Sequence, residues 1–401
     1  MPLASASARS PSPRHAPQDA RLRPARPFAR VEICEALEDA RLPWTALAQE
    51  APASAYQSFD FACVWFATIG AALRATPLIV VAHDESSRPV ALLPLARVTR
   101  GPLRLAVFLG GKDSNFNLGL FRTPSDWSQA DVARLFAEAG ARANPRVDAF
   151  LLMNQPLRWR EMANPLAGDQ PQPSPSFAYA SALPGDFSAW LDPRASKEAK
   201  KKMRKKRARL EATAPLVHSR AAGAQEIDRA LAAFHAERRA RTEALGMPDP
   251  YASAAAQEFL ARLARDGALE LHTLAHGERI IAVFGALPSD ERLSGLFIGH
   301  DGDPEIARSS PGEIMVHSVV ADAIARGFIE FDLGVGEARY KDEACEIVEP
   351  LFDSAFAVTL KGRLVASAFL AARRAKRSIK RSPRLKALHA RLRRLGGRSG
   401  E

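Results

Sequence analysis

Three side chains that can move protons or hold anions follow one apolar segment late in the sequence. They are Asp332, Tyr340 and Lys341, and they come at or after a predicted strand over residues 328–333, where the chain turns through two glycines. Ligand sites in open α/β sheets favour the carboxyl ends of strands, so we expect these side chains to converge. Asp332 can accept a proton or orient an amine, Tyr340 can donate a proton to a thiolate, and Lys341 can hold a phosphate or carboxylate.

A structural interpretation of the same three residues stays open. An aspartate after a strand is commonly a turn or cap residue. A Tyr-Lys pair is commonly a packed ring beside a surface charge. Spacing alone does not decide between catalysis and these structural roles.

A second candidate site lies earlier, at the start of a predicted helix over residues 311–326. The turn into this helix consists of Arg308, Ser309, Ser310, Pro311 and Gly312. The first backbone amides of a helix have no partner within it, and together with the helix dipole they can hold a phosphate. Ser310 can cap the helix, Pro311 gives up no needed donor, and Gly312 lets a ligand approach the backbone. An ordinary N-cap without a ligand fits these residues as well.

His300 ends the strand before this turn and is the other side chain able to relay a proton near neutral pH. Its alternative role is that of a polar loop residue. The three cysteines, Cys34, Cys63 and Cys345, are far apart and lack the spacing of a zinc site or a disulfide framework. They predict a reducing compartment, and Cys345 is not predicted to be a nucleophile.

The elements around these candidates alternate between strands and helices. In the second half we predict helices over 224–245, 251–265 and 311–326, and strands over 269–275, 279–287, 292–299, 328–333 and 351–360. In the first half we predict helices over 58–72 and 131–141, strands over 77–82, 90–96, 103–109 and 147–153, and a loop over 156–184. This order predicts an α/β (α+β) fold built from two related halves.

Positive charge is concentrated in three segments. The 401 residues include 56 Lys+Arg, 45 Asp+Glu and 47% apolar residues, which predicts a folded chain of two domains. Residues 1–30 carry six Arg and one Asp, residues 194–209 carry ten Lys/Arg and one Glu, and residues 361–401 carry fourteen Lys/Arg and one Glu. The rest of the chain is therefore net acidic. This distribution indicates an enzyme with basic appendages rather than a surface that grips nucleic acid throughout.

The predicted domain organisation follows these changes in composition. It consists of a disordered basic arm over 1–30, an N-terminal domain over 31–190, a basic linker helix over 191–215, a C-terminal domain over 216–360 and a basic tail over 361–401. The linker helix is expected to begin at Asp192 and Pro193.

The tail carries a second amphipathic pattern. Its leucines at 385, 388, 392 and 395 form an apolar stripe among arginines and lysines. Such a helix is predicted to bind an anionic membrane surface, which would place a cytoplasmic protein at the inner face of the membrane. Docking on the acidic body of its own chain is the alternative.

The motifs together resemble a known family. Pro311-Gly312 at a helix start, followed by Asp332-x-Gly334-x-Gly336-x-x-x-Tyr340-Lys341, is similar to the GNAT-superfamily acetyltransferases of the CelD/BcsL type, which are related to the FemABX aminoacyl transferases. The first half looks similar through residues 59–65, 92–95 and 109–117. The likeness covers roughly residues 31–360.

The resemblance implies two GNAT-like domains in tandem, joined by the basic helix, with an acyl donor held near Gly312. It also implies an N-acyltransferase that moves an acyl group, an acetyl group first of all, from acyl-CoA to an amine of a sugar, polysaccharide or envelope precursor. Acyl-CoA is then a co-substrate, and no metal or permanently bound cofactor is implied. Residues 308–313 keep only part of the usual pyrophosphate-loop pattern, so another activated donor stays open.

Two other functions remain possible at this stage. One is an aminoacyl-tRNA-dependent FemABX-like transferase, in which the basic helix contacts RNA phosphates. The other is a non-catalytic component of exopolysaccharide or cellulose biosynthesis. The polar segment around Asp113 and Asn115 is the candidate acceptor site of the first domain.

Overall fold

The structure, a computed structural model, describes residues 26–382 and contains 17 strands in that range. In chain order the strands are β1 Arg30–Cys34, β2 Thr76–His83, β3 Pro89–Arg100, β4 Leu103–Phe108, β5 Leu120–Phe121, β6 Ala149–Pro156, β7 Arg158–Trp159, β8 Met162–Ala163, β9 Gln172–Pro173, β10 Ala178–Ala182, β11 Leu216–Arg220, β12 Glu270–His276, β13 Arg279–Pro288, β14 Arg292–His300, β15 Glu330–Val335, β16 Ile347–Glu349 and β17 Leu351–Ala357.

Eleven α-helices are present in the same described range. They are α1 Leu37–Ala48, α2 Phe59–Trp65, α3 Gln129–Arg142, α4 Phe187–Leu191, α5 Lys197–Glu211, α6 Gly223–Leu245, α7 Ala254–Arg265, α8 Pro304–Ala307, α9 Pro311–Ala325, α10 Arg339–Ala344 and α11 Leu360–Arg381. None of these helices is long and apolar enough to cross a bilayer.

Fifteen of the strands form two large mixed sheets, and β7 and β8 pair separately with each other. The first has the order β1-β2-β3-β4-β6-β17-β9, with β5 paired to β3. The second has the order β11-β12-β13-β14-β15-β10-β16. The predicted α/β class is therefore confirmed.

Two strands cross the predicted domain boundaries. β17, from the end of the predicted second domain, pairs antiparallel with β6 in the first sheet. β10, from a segment predicted to be a loop, pairs with β15 and β16 in the second sheet. Both strands are short, and their partners lie far away in sequence, so local patterns cannot assign them to a sheet.

The basic helix α5 starts later than predicted. Its N-cap is Ser196, whose hydroxyl accepts a hydrogen bond from the Ala199 amide. Asp192 and Pro193 instead follow the short helix α4. Leu210 is the buried residue of α5, which leaves most of the helix in solvent.

Both ends of the described range pack on the body. Phe28, assigned to the basic arm, is buried and stacks on Trp127 with ring centroids 5.3 Å apart. Residues 361–381 of the predicted tail belong to α11, which packs on β17 and β6. The leucine stripe over 385–395 and most of the arm lie outside the described residues.

One hydrophobic core joins the two halves. Phe61 of α2 meets Phe259 of α7 edge to face, with ring centroids 5.5 Å apart. Both rings are buried, so the contact fixes the first half against the helices of the second. A residue from the first half can therefore take part in a site on the second sheet.

Candidate active site

The candidate site begins where β14 and β15 separate. The two strands pair in parallel over three residues only, from Arg292 to Ser294 on β14. Beyond this point β14 stays paired with β13 up to His300, while β15 stays paired with β10 up to Val335. The two strands therefore open into a wedge at their carboxyl ends.

A bulge lies on β14 inside this wedge. Gly295 pairs with Ala286 and Phe297 pairs with Gly285, which leaves Leu296 without a partner in the ladder. The extra residue of a bulge keeps its backbone groups out of the regular hydrogen-bond pattern. The bulge therefore places the Leu296 backbone at the edge of the wedge, outside the regular register of β13 and β14.

Asn115, from the first half of the chain, bridges the two separating strands. Its side-chain Nδ2 donates to the Gly295 carbonyl at 3.0 Å, and its Oδ1 accepts from the Val335 amide at 3.1 Å. Nδ2 also donates to the Tyr56 hydroxyl at 2.7 Å. Gly334 makes room for this side chain, because a Cβ there would lie 2.3 Å from Nδ2, and its φ of +68° also favours glycine.

Asn115 and Asp113 were both candidates for the acceptor site. Asn115 does line the cavity of the second domain, but its polar groups bind the two strands there. Asp113 is half-buried beside Trp65, whose Nε1 donates to it at 3.5 Å, and burial raises the pKa of its carboxyl group. The sequence gives no signal that Asn115 bridges two strands, because this role depends on contacts between the two halves of the chain.

A cavity of about 210 Å³ fills the wedge. Its polar and aromatic lining includes Asn115, Arg238, Tyr251, Tyr340 and Lys341. Leu296 also contributes to the wall. Of the predicted catalytic residues, Tyr340 and Lys341 are thus brought together, while Asp332 and His300 do not line this cavity.

Lys341 is buried rather than a surface charge. Its Nζ donates to the carbonyl oxygens of Gly334 and Val335 at 3.3 and 3.2 Å. Burial lowers the pKa of Lys341 to about 8, although the nearby Asp332 charge opposes this shift. An amine with such a pKa is substantially neutral just above neutral pH, so it can accept a proton.

Two phenols share the cavity with this amine. Burial raises the pKa of both Tyr340 and Tyr251 to about 12. Both therefore stay protonated at any physiological pH and can donate a hydrogen bond or a proton.

Asp332 holds a buried ion pair. It is fully buried, accepts from Arg292 Nε at 2.8 Å and accepts from the Gly334 amide at 2.9 Å. Arg292 also donates two hydrogen bonds to the carboxylate of Glu349. Burial opposes the charge of Arg292, but the carboxylates of Asp332 and Glu349 together raise the pKa of its guanidinium group. These contacts favour the turn-residue interpretation of Asp332 over that of a proton acceptor, because both of its oxygens are already bonded.

The start of α9 has the predicted boundary but not the predicted cap. Pro311 is the first helical residue, whereas Ser310 has φ +53° and its hydroxyl makes no capping bond. Within the described residues, the Gly312 amide donates no hydrogen bond. The hydroxyl of Ser309 is likewise buried without a partner in that range. The turn thus offers unused polar groups next to the carboxyl end of β14.

His300 and Arg308 lie around this turn in different ways. The ring of His300 packs beside Gly312, where a Cβ would be 3.1 Å from its Cδ2, and its Nε2 accepts from Arg241 at 3.1 Å. Arg308 is more than half exposed and pairs with Glu305. His300 therefore shapes the helix start, and Arg308 lies on the surface.

A second cavity, of about 410 Å³, lies on the other side of the α6–α7 connection. Its wall includes His235, Arg239 and Asp249, while the adjacent Pro250 and Tyr251 line the first cavity. The connection is therefore a thin partition between the two.

Comparisons with known proteins agree with this geometry. Residues 197–342 match the family model described as "Acetyltransferase (GNAT) domain". The fold is similar to that of FemX, with a TM-score of 0.55 and 8% identity, over 85% of this chain and 100% of that one. It is also similar to a conserved protein of unknown function from Bacteroides thetaiotaomicron, with a TM-score of 0.52 and 12% identity, over 82% and 100% of the two chains.

A tandem GNAT protein from the clavulanic acid biosynthesis pathway aligns with a TM-score of 0.46 and 12% identity, over 82% of this chain and 99% of that one. Among curated protein sequences, none matches significantly. At these identities the structural likeness speaks for the fold alone.

Residues 197–342 are therefore similar to a GNAT acetyltransferase domain. The predicted fold class is confirmed, since the family match covers residues 197–342 and the structural likeness to FemX spans both halves of the chain.

Proposed function

We propose that the protein is an N-acyltransferase that takes an acyl group from a CoA thioester and passes it to an amine. The observation that carries this proposal is the cavity between the separating strands, where the buried amine of Lys341 faces two phenols. The GNAT domain match over residues 197–342 supports the same class of reaction.

The start of α9 is the proposed site for the phosphates of the donor. The unused Gly312 amide and the positive end of the helix dipole favour an anion there. Glu313 in the first turn would repel an anion, but Lys206 of α5 forms an ion pair with it. Lys206 thereby neutralises the carboxylate in the first turn of α9.

The thioester then extends into the wedge beside β14. Attack of the amine nitrogen on the thioester carbon forms a tetrahedral oxyanion, which a backbone amide can stabilise. The Leu296 amide is the proposed donor, because the bulge leaves it outside the ladder.

Two side chains handle the protons in this proposal. Lys341 in its neutral form accepts the proton that the attacking amine releases, and the C–S bond then breaks. Tyr340, whose pKa is about 12, donates its proton to the departing thiolate. Asp332 acts indirectly by holding Arg292 and the Gly334 turn in place.

The acceptor amine is proposed to enter past the α6–α7 connection. The 410 Å³ cavity there adjoins the wedge through Pro250 and Tyr251, and Glu243 in its wall suits a cationic amine, whereas Asp249 already pairs with Arg238. An amino sugar or an envelope precursor fits this chemistry. The CelD/BcsL subtype and a link to cellulose or exopolysaccharide assembly stay proposals of the sequence resemblance.

Aminoacyl-tRNA is the competing donor, and one observation favours it. Lys201, Lys205 and Arg209 of α5 have no carboxylate partner in the described part of the chain, and α5 contacts the start of α9 through Lys206. These cations can hold a phosphate chain that leads to the same cavity.

Thermal unfolding in the presence of acetyl-CoA, longer acyl-CoAs and aminoacyl-tRNA separates these donors. A donor bound to the folded state at about 100 times its Kd adds about 2.7 kcal/mol of stability. We expect acyl-CoA to raise the Tm of the wild type. If aminoacyl-tRNA alone raises the Tm, the donor is aminoacyl-tRNA rather than acyl-CoA. If neither ligand raises the Tm, a non-catalytic protein is favoured.

A pair of glycine variants localises the effect. Gly312→Val crowds the His300 ring, since a Cβ there would lie 3.1 Å from its Cδ2, and so disturbs the helix start where the donor phosphates are proposed to lie; the Tm shift should disappear. Gly302→Ala is the matched control, because a Cβ there meets nothing within 4 Å. A Tm shift that survives in Gly312→Val would contradict the proposed donor site.

A further inference from the structure

Helix α11 carries an apolar face that no part of residues 26–382 covers. Leu360 and Leu364 are 79% and 75% exposed, which is unusual for two leucines one turn apart. Ala368, Ala371 and Ala375 continue the same side at helical spacing and are also exposed. We call these five residues the outer face of α11.

The opposite side of α11 is fixed to the first sheet. Gly362 lies against the backbone of Asp148, where a Cβ would be 1.7 Å from the carbonyl oxygen. Further along, Arg373 pairs with the fully buried Asp353 at 2.6 Å. These contacts prevent the helix from rotating, so the outer face stays turned away from the core.

The charged side chains of α11 itself are all of one sign. The 22 residues of α11 include eight Lys/Arg and no Asp or Glu. Arg363, Arg374 and Arg381 have no carboxylate partner among residues 26–382. Arg100 and Arg104 lie at the β3–β4 turn, next to Lys361, which donates to the Pro102 carbonyl at 2.9 Å.

We infer that the outer face of α11 docks on an anionic bilayer surface. The two leucines enter the headgroup region, and the surrounding cations bind lipid phosphates. A soluble polyanion would satisfy the cations but leave the leucines in water. A bilayer of anionic lipid binds the cations through its phosphates and removes the leucines from water at the same surface.

The docking surface is connected to the candidate active site. Lys380 in the last turn of α11 pairs with Glu337 at 3.2 Å, in the loop that leads from β15 to Tyr340. The guanidinium of Arg381 stacks on Phe177, whose carbonyl accepts from the Gly336 amide. Docking therefore holds the mouth of the cavity at a fixed position relative to the bilayer.

Flotation of the full-length protein with vesicles tests the inference. The vesicles are neutral phosphatidylcholine alone, or the same lipid with 30% phosphatidylglycerol. We expect the wild type to bind the anionic vesicles only. The Leu360→Ser/Leu364→Ser double variant should bind these vesicles at least roughly tenfold more weakly, because each CH₂ buried in the bilayer contributes about 0.8 kcal/mol. Equal binding of wild type and double variant, or equal binding to both vesicles, overturns the proposal.

Two further variants separate this surface from other cationic segments. Lys201→Ser/Lys205→Ser removes two exposed charges of α5, and Leu388→Ser/Leu392→Ser interrupts the leucine stripe of the later tail. Both should keep most of the affinity for anionic vesicles. If either loses more binding than the α11 double variant, the membrane contact belongs to that segment.

Self-association is measured on the same proteins. A wild-type dimer that the Leu360→Ser/Leu364→Ser variant dissociates, without vesicle binding by either, assigns the outer face to a second copy of the chain and overturns the proposal. Unchanged unfolding of the variant confirms that the exposed leucines do not contribute to the core.

Discussion

Replacement of Lys341 by methionine should stabilise the protein at pH 7 but not at pH 10. The folded protein holds the Lys341 amine at a pKa of about 8, whereas a free lysine has a pKa of 10.5. The unfolded state therefore binds more protons than the folded state between these values. Stability must then rise as the pH rises through this window.

The size of this effect follows from the two pKa values. At pH 7 the protonated, buried lysine costs about 3 kcal/mol of folding free energy, and at pH 10 it costs about 1 kcal/mol. Methionine removes this cost but leaves the carbonyl oxygens of Gly334 and Val335 without their donor. That loss is worth about 1–2 kcal/mol and does not depend on pH.

Urea denaturation of both proteins at pH 7 and pH 10 provides the assay. We expect Lys341→Met to be about 1–2 kcal/mol more stable than the wild type at pH 7 and no more stable at pH 10, so the difference changes by about 2 kcal/mol. The comparison cancels all other titrating groups. A constant difference between the two proteins at both pH values would refute the lowered pKa and the role of Lys341 as a proton acceptor.

Asp332→Asn should destabilise the fold by about 3 kcal/mol in urea denaturation, because it leaves the buried guanidinium of Arg292 partly unpaired; a loss under 1 kcal/mol would show that this ion pair is not structural. Gly334→Ala should cost several kcal/mol, about 1 from its positive φ and the rest from the clash with Asn115, whereas Gly336→Ala, also at positive φ but with nothing within 4 Å, should cost about 1 kcal/mol. Equal Tm losses in the two alanine variants would show that Asn115 does not occupy the space above Gly334.

The sequence predicts the elements of the second half well, because each carries its own local signal. Apolar runs bounded by turn residues mark β12 to β14, and Pro311 marks the first residue of α9, as the structure confirms. The exchange of β10 and β17 between the sheets has no such signal. It is decided by pairing between segments that are far apart in sequence.

The candidate site was predicted in part for the same reason. Tyr340 and Lys341 come a few residues after a strand, at the start of the short helix α10, so their position near the carboxyl end of that strand could be inferred, and both line the cavity. The bonds of Asp332 to Arg292, and of Asn115 to both strands, arise only from tertiary contacts. The sequence alone shows that these two positions hold a charged and a polar side chain, but it does not show which groups those side chains bind.

A crystal structure with a non-hydrolysable thioether analogue of acetyl-CoA tests whether acyl transfer takes place in this cavity. We expect the sulfur to lie between β14 and β15, within reach of the Leu296 amide and the Lys341 amine, with the phosphates at Gly312. An analogue bound elsewhere, with the wedge between the strands unchanged, would contradict the assignment of this cavity as the site of acyl transfer.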